Sequence, residues 1–162
     1  MYYSFNNSGF PVIKLSIVTI PNNEQELEQL FTDWYKYYSY KQDMIFLIDV
    51  SRLSGFNMEF TKRIIEFSNS IRSLPPYIYL TIFYFTSDIF KNIFNMVMTC
   101  VKKPIRPILI TKDREVINDI LMGHLEFANV NDYTIKYPEQ YTLDHVVNET
   151  KRLLETNYVS IA

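Results

Sequence analysis

"MIFLIDVSRLSGFNME", Met44 to Glu59, is the stretch on which the fold turns. It opens with five apolar residues in a row, the pattern of a strand covered on both faces. Asp49 ends the run, and Ser51, Ser54 and Gly55 follow, residue types that favour turns. Beyond Asn57, the residues Phe60, Ile64, Phe67, Ile71 and Leu74 recur at spacings of 4, 3, 4 and 3. That is the period of a helix with one apolar face. Glu59, Lys62, Arg63, Glu66, Asn69 and Arg72 take its other side. A buried strand that turns over a polar loop into an amphipathic helix is half of a βαβ unit.

The same unit recurs on both sides. Upstream, "PVIKLSIVTI" (Pro11 to Ile20) is β-branched and reads as a strand. Asn22 or Asn23 caps the next helix, with Gln25 or Glu26 three positions on. The apolar stripe of that helix is Leu27, Leu30, Phe31, Trp34 and Tyr38. Downstream, Pro75 and Pro76 stop the second helix, and "YIYLTIFYF" (Tyr77 to Phe85) is another strand apolar on both faces. Thr86 or Ser87 caps a third helix from Asp88 to about Lys102. A brief strand, Ile108 to Thr111, precedes a fourth helix, Lys112 to Leu121. "YTIKYP" is a candidate short strand, and Thr142 to Thr156 a final amphipathic helix.

This alternation predicts an α/β fold: a mixed, mostly parallel sheet of four to five strands with packed helices, in the order βαβαβαβα, plus a C-terminal helix. Residues 1–122 form the domain, and 123–162 an extension with one helix packed on it. The working loops of such sheets lie at the carboxyl ends of strands. Here these are Asp49 to Asn57, Thr86 to Asp88 and Thr111 to Asp113.

Composition narrows the function classes. The chain has 162 residues and a net charge of −2, so it lacks the basic field of a nucleic-acid binder. Its single cysteine, Cys100, excludes an internal disulfide and a multi-cysteine zinc site, which predicts a reducing, cytoplasmic setting. The first ten residues lack the charged and apolar regions of a signal peptide. No run reaches the ~18 apolar residues of a membrane span. Aromatic residues make up 16%, in keeping with the codon bias of an AT-rich genome and with a surface built for contacts.

Catalytic motifs are sparse. Three glycines cannot supply a phosphate-cradling G-x-G-x-x-G or G-x-x-x-x-G-K-[ST] loop, so no nucleotide cofactor is expected. Cys100 sits among Met96, Val97, Met98 and Val101, as an inert core thiol does. His124 and His145 belong to no metal or triad spacing. Asp49, Asp88 and Asp113 lie near strand ends and could converge on an ion, but each also suits a turn or a helix N-terminus. No metal and no catalytic residue is assigned. The third helix carries Ile89, Phe90, Ile93, Phe94, Met96 and Met98 around most of its girth. It is either buried beneath the C-terminal arm or left as a contact surface, flanked by Lys102, Lys103 and Arg106.

The segments "FLIDVSRLSGFNMEFTKRIIEF" and "KKPIRPILITKDREVINDIL", with the order of elements, resemble the STAS family, the sulfate-transporter and anti-sigma-factor-antagonist domains. The resemblance runs from about Val12 to Leu121. It implies a protein-interaction module that binds another protein or a second copy of itself. In the bacterial antagonists, D-L-S is followed by D-[ST]-[ST]-[GA], whose second hydroxyl is phosphorylated. An ungapped count places Asn57, Met58, Glu59 and Phe60 there, so Glu59 stands at the switch position with a permanent charge. Ser51 matches the serine of D-L-S, and Ser54 aligns with the switch only through a deletion.

The expected interaction loop is therefore Ser51, Ser54, Gly55, Asn57, Met58 and Glu59, and the expected surface Arg63, Phe90, Phe94 and Met98. Within this loop, Asp49 is expected to bond turn amides, Gly55 to relax the backbone and Asn57 to cap the helix. A weaker similarity, to the CRAL-TRIO lipid-exchange family, implies a small lipid or apolar-ligand domain with Phe90, Phe94, Met96 and Met98 as a greasy wall.

Overall fold

The computed structural model describes residues 2–53, 55, 57–70, 77–99, 106–130 and 133–161. The fold is α/β, with one sheet of six strands: β1 (Tyr3–Asn6), β2 (Val12–Ile17), β3 (Met44–Asp49), β4 (Ile78–Tyr84), β5 (Ile108–Thr111) and β6 (Tyr133–Lys136). They stand side by side in chain order. The four central strands, β2 to β5, are parallel, and β1 and β6 add antiparallel edges. Among the described residues, five α-helices accompany them: α1 (Glu24–Lys36), α2 (Met58–Ser70), α3 (Asp88–Thr99), α4 (Glu115–Leu121) and α5 (Leu143–Ile161).

Six strands exceed the four to five expected, and the strand missing from the sequence reading is β1. Four residues, Tyr-Ser-Phe-Asn, are too few to display a period, and β1 owes its existence to pairing with β2. Residues 123–162 supply β6 and α5, and so share the sheet and core of residues 1–122.

Strand alternation builds two cores. Ile13, Leu15, Ile17, Met44, Phe46 and Ile48 meet Leu27, Leu30 and Trp34 of α1, Ile64 of α2 and Phe94 of α3. Ile45, Leu47, Leu80, Ile82 and Leu109 meet Val116 and Ile120 of α4 and Val146, Leu153 and Leu154 of α5. The layering follows from strand order. Each parallel crossover steps one strand in the same direction, and crossovers of one hand then put α1, α2 and α3 on one face. The helices after the last parallel strand cover the other.

This arrangement bears on the two alternatives left open for the third helix. The described core residues of the C-terminal helix, Val146, Leu153 and Leu154, pack on the face of the sheet opposite α3. On α3, Phe94 is buried, Phe90 and Met98 are half-buried, and Ile89 and Met96 stand out in solvent.

The caps are local. The Glu26 N–H donates to Asn23 Oδ1 at 2.9 Å, while Glu26 Oε2 accepts from the Asn22 N–H at 2.7 Å. Asn23 and Glu26 are thus the members chosen from the two pairs of candidates. Ser87 Oγ caps α3 by accepting from the Phe90 N–H at 3.3 Å. At the end of α4, Gly123 has φ 85°, a left-handed conformation suited to glycine.

Candidate functional site

An apolar cavity of about 40 Å³ lies at the carboxyl ends of β2, β3 and β4. Ile17, Ile48, Phe83 and Phe85 form its floor, and Trp34 of α1 one wall. Phe60, Thr61 and Ile64 of α2 and Phe90 and Phe94 of α3 complete the walls. Val50, Leu53 and Asn57 of the loop after β3 line the remaining side.

This loop is built from local hydrogen bonds. The backbone N–H and the hydroxyl of Ser51 both donate to Asp49 Oδ1, at 3.0 and 2.6 Å. Asp49 Oδ2 lies 3.5 Å from Lys14 Nζ on the neighbouring strand. The buried strand therefore ends on a carboxylate that holds the turn and is itself balanced by a cation. Thr86 Oγ1 donates to the Ser51 carbonyl at 3.0 Å, tying the loops after β3 and β4 together. Asn57 Oδ1 accepts from the Phe60 N–H at 2.9 Å and caps α2, as its position predicts. At Gly55 the backbone passes close to Ile20, where an added Cβ would lie 3.3 Å from Ile20 Cδ1. Its role is therefore close approach.

The expected interaction residues separate into groups. Asn57, Phe90 and Phe94, chosen from different segments, come together in the cavity wall. Met58 and Glu59 are exposed in the first turn of α2, and Ile89 is exposed in the first turn of α3. Met98 packs on the same core as Phe94. Arg63 points elsewhere. Its guanidinium pairs with Glu24, with Glu28 at 2.7 Å and with Glu66 at 3.8 Å, so it clamps α2 to α1. Ser54, Cys100, Lys102 and Lys103 lie outside the described residues. Arg106 turns to the α5 side, where its Nη1 donates to Tyr141 Oη at 3.2 Å.

The three aspartates remain apart in their contacts. Asp49 serves its turn and Lys14. Asp88 pairs with Lys112 at 2.7 Å, and the ammonium holds its carboxyl below the usual range. Asp113 Oδ1 accepts from the Glu115 N–H at 3.0 Å at the start of α4. Among the described residues no group of three or more His, Cys, Asp or Glu could share a metal ion. His124 lies 3.6 Å from Asp119, and the His145 ring meets Tyr141 edge-on at 4.7 Å.

Sequence reasoning did not single out Trp34 as a site residue. Only 2% of its surface is exposed, and Nε1 has no hydrogen-bond partner among the described residues. Asn57 Oδ1 is committed to its cap, and Thr61 Oγ1 donates to the Asn57 carbonyl at 3.1 Å. The cavity thus combines carbon walls with one buried, unpaired donor, Trp34 Nε1, among its described wall residues. In the sequence, Trp34 is one more residue of an apolar stripe, with no signal that separates a cavity wall from a filled core.

Comparison with protein-family models, with curated proteins and with solved structures returned no match. Among the described residues no helix is long and apolar enough to cross a membrane.

Proposed function

We propose that the chain is a non-catalytic, STAS-like interaction module that docks another protein over the carboxyl ends of β3 and β4. One observation carries this reading: Met58 and Ile89 are exposed in the first turns of α2 and α3, the two helices whose Phe60 and Phe90 line the apolar cavity. An apolar side chain of a partner has a hole to enter and a greasy rim to cover, the usual anatomy of an interaction hot spot. Glu59 puts a permanent negative charge beside that rim, so binding is constitutive rather than switched by phosphate.

Ile89→Asp and Glu59→Lys are expected to weaken capture of the partner from the source cells by about tenfold or more, without changing the circular dichroism spectrum. Arg63 is unsuited to this test, because its removal loosens α1 from α2. Equal recovery of every captured protein by wild type and both variants would reject the surface.

A second reading rests on the cavity and Trp34 Nε1: the site takes a small apolar ligand bearing one acceptor oxygen, as a CRAL-TRIO-like domain would. About 40 Å³ is well below the ~150 Å³ hole that holds benzene, so an acyl chain requires the walls of the cavity to move apart. Trp34 is the chain's one tryptophan, so its emission reports the cavity directly. A lipid in the native mass spectrum, with an emission shift when it is stripped, supports this reading. A ligand-free mass and unaltered emission argue against it.

A further inference from the structure

β1 leaves one edge of the sheet open. It pairs with β2 in the register Tyr3↔Ile17, Ser4↔Ser16, Phe5↔Leu15 and Asn6↔Lys14. The Val18 N–H donates to the Tyr2 carbonyl at 2.9 Å. Bonded and non-bonded pairs alternate in an antiparallel ladder, so Ser4 and Asn6 turn their backbone groups toward β2. Tyr3 and Phe5 turn theirs outward. Beside them runs a groove of about 470 Å³, lined by β1 and by Asp33, Lys36, Tyr37 and Tyr40 at the end of α1.

Exposed edges are normally guarded by lysine, proline or a bulge. β1 has none of these: Tyr-Ser-Phe-Asn pairs with β2 without a register shift. The opposite edge, β6, ends on Lys136.

We propose that the β1 edge pairs with the β1 edge of a second copy, antiparallel about a two-fold axis. The charges favour this occupant. The strand is uncharged, and the groove holds one charge of each sign, with Lys36 Nζ 2.7 Å from Asp33 Oδ1. Two copies therefore meet without net repulsion, and Asp33 of each faces a groove that contains Lys36. The geometry is self-complementary as well. The outward groups of Tyr3 match those of Phe5 on the second copy, and the reverse, giving four main-chain hydrogen bonds. Ser4 then faces Ser4. The two-fold axis stands perpendicular to the sheet, so Phe5 of the second copy lands beside Tyr3 on the α1 side, where the groove is open. There the Phe5 ring already meets Tyr3 at 5.8 Å and Tyr37 at 5.2 Å, and a further ring extends the cluster.

The test uses the whole chain with Cys100→Ser. In this register, facing Ser4 residues have Cα atoms about 4.5 Å apart, within disulfide range. Ser4→Cys is expected to form an intermolecular disulfide under mild oxidation at least tenfold faster than Asn6→Cys, whose sulfurs lie far apart. Sedimentation of the wild type is expected to show a dimer, and Phe5→Lys a dimer at least tenfold weaker. A wild type that stays monomeric at high concentration overturns the inference. So does equal cross-linking of the two cysteine variants, or a dimer indifferent to Phe5→Lys. Because Phe5 also packs on the core, the cysteine pair decides the matter if that variant loses its fold.

Discussion

A chain cut after Thr142, lacking α5, is expected not to fold. Val146, Leu153 and Leu154 of α5 are buried against β3, β4 and β5. Their removal uncovers Leu47, Leu80, Ile82 and Leu109, each fully buried in the intact protein. Burying one such side chain stabilises by roughly 1.5–3 kcal/mol, so the three from α5 alone contribute roughly 5–9 kcal/mol as an upper bound. That matches the whole stability of a typical domain, about 5–15 kcal/mol. The cut chain should be insoluble or show no cooperative urea transition by circular dichroism. A transition at the full-length midpoint would mean that the helix is dispensable and the layered account is mistaken.

Phe46→Ala should cost about 3–5 kcal/mol, the usual range for a buried phenylalanine. Phe46 lies in the middle of β3, fully buried. Its ring stacks on Trp34 at 5.4 Å and meets Tyr37 edge-on at 5.8 Å, while Trp34 also touches Phe67 of α2. Truncation leaves a void that the flanking helices cannot readily fill, since α1 is capped by Asn23 and held to α2 through Arg63. Trp34 emission should shift with the loss of its stacking neighbour. Urea unfolding followed by that emission measures the cost, with the slope unchanged if only stability is affected. A loss below about 1 kcal/mol would show that the neighbouring side chains close the void.

Much of this architecture is legible in the chain. The apolar run Met44 to Ile48 and the stripes Leu27, Leu30, Phe31, Trp34 and Phe60, Ile64, Phe67 correspond to β3, α1 and α2. Asn57 caps α2 and Asp49 holds its turn. These signals are readable because each depends on residues within a few positions, where a side chain meets its own turn or helix. Arg63 shows where such reading stops. It belongs to the exposed side of α2, yet Glu24 and Glu28 reach it from a helix more than thirty residues away. α3 has the same difficulty: its apolar girth is plain, but not which of its sides the sheet covers.

The order of apolar and polar residues by itself determined the βα alternation, most helix faces and the caps, because periodicity and capping are local physics. Tertiary structure alone decided that β1 exists, that α5 packs on the far face from α3, and that Trp34 and Phe94 wall one cavity. Those outcomes depend on which strand edges and helix faces meet across long stretches of chain, and no spacing within a segment encodes that meeting.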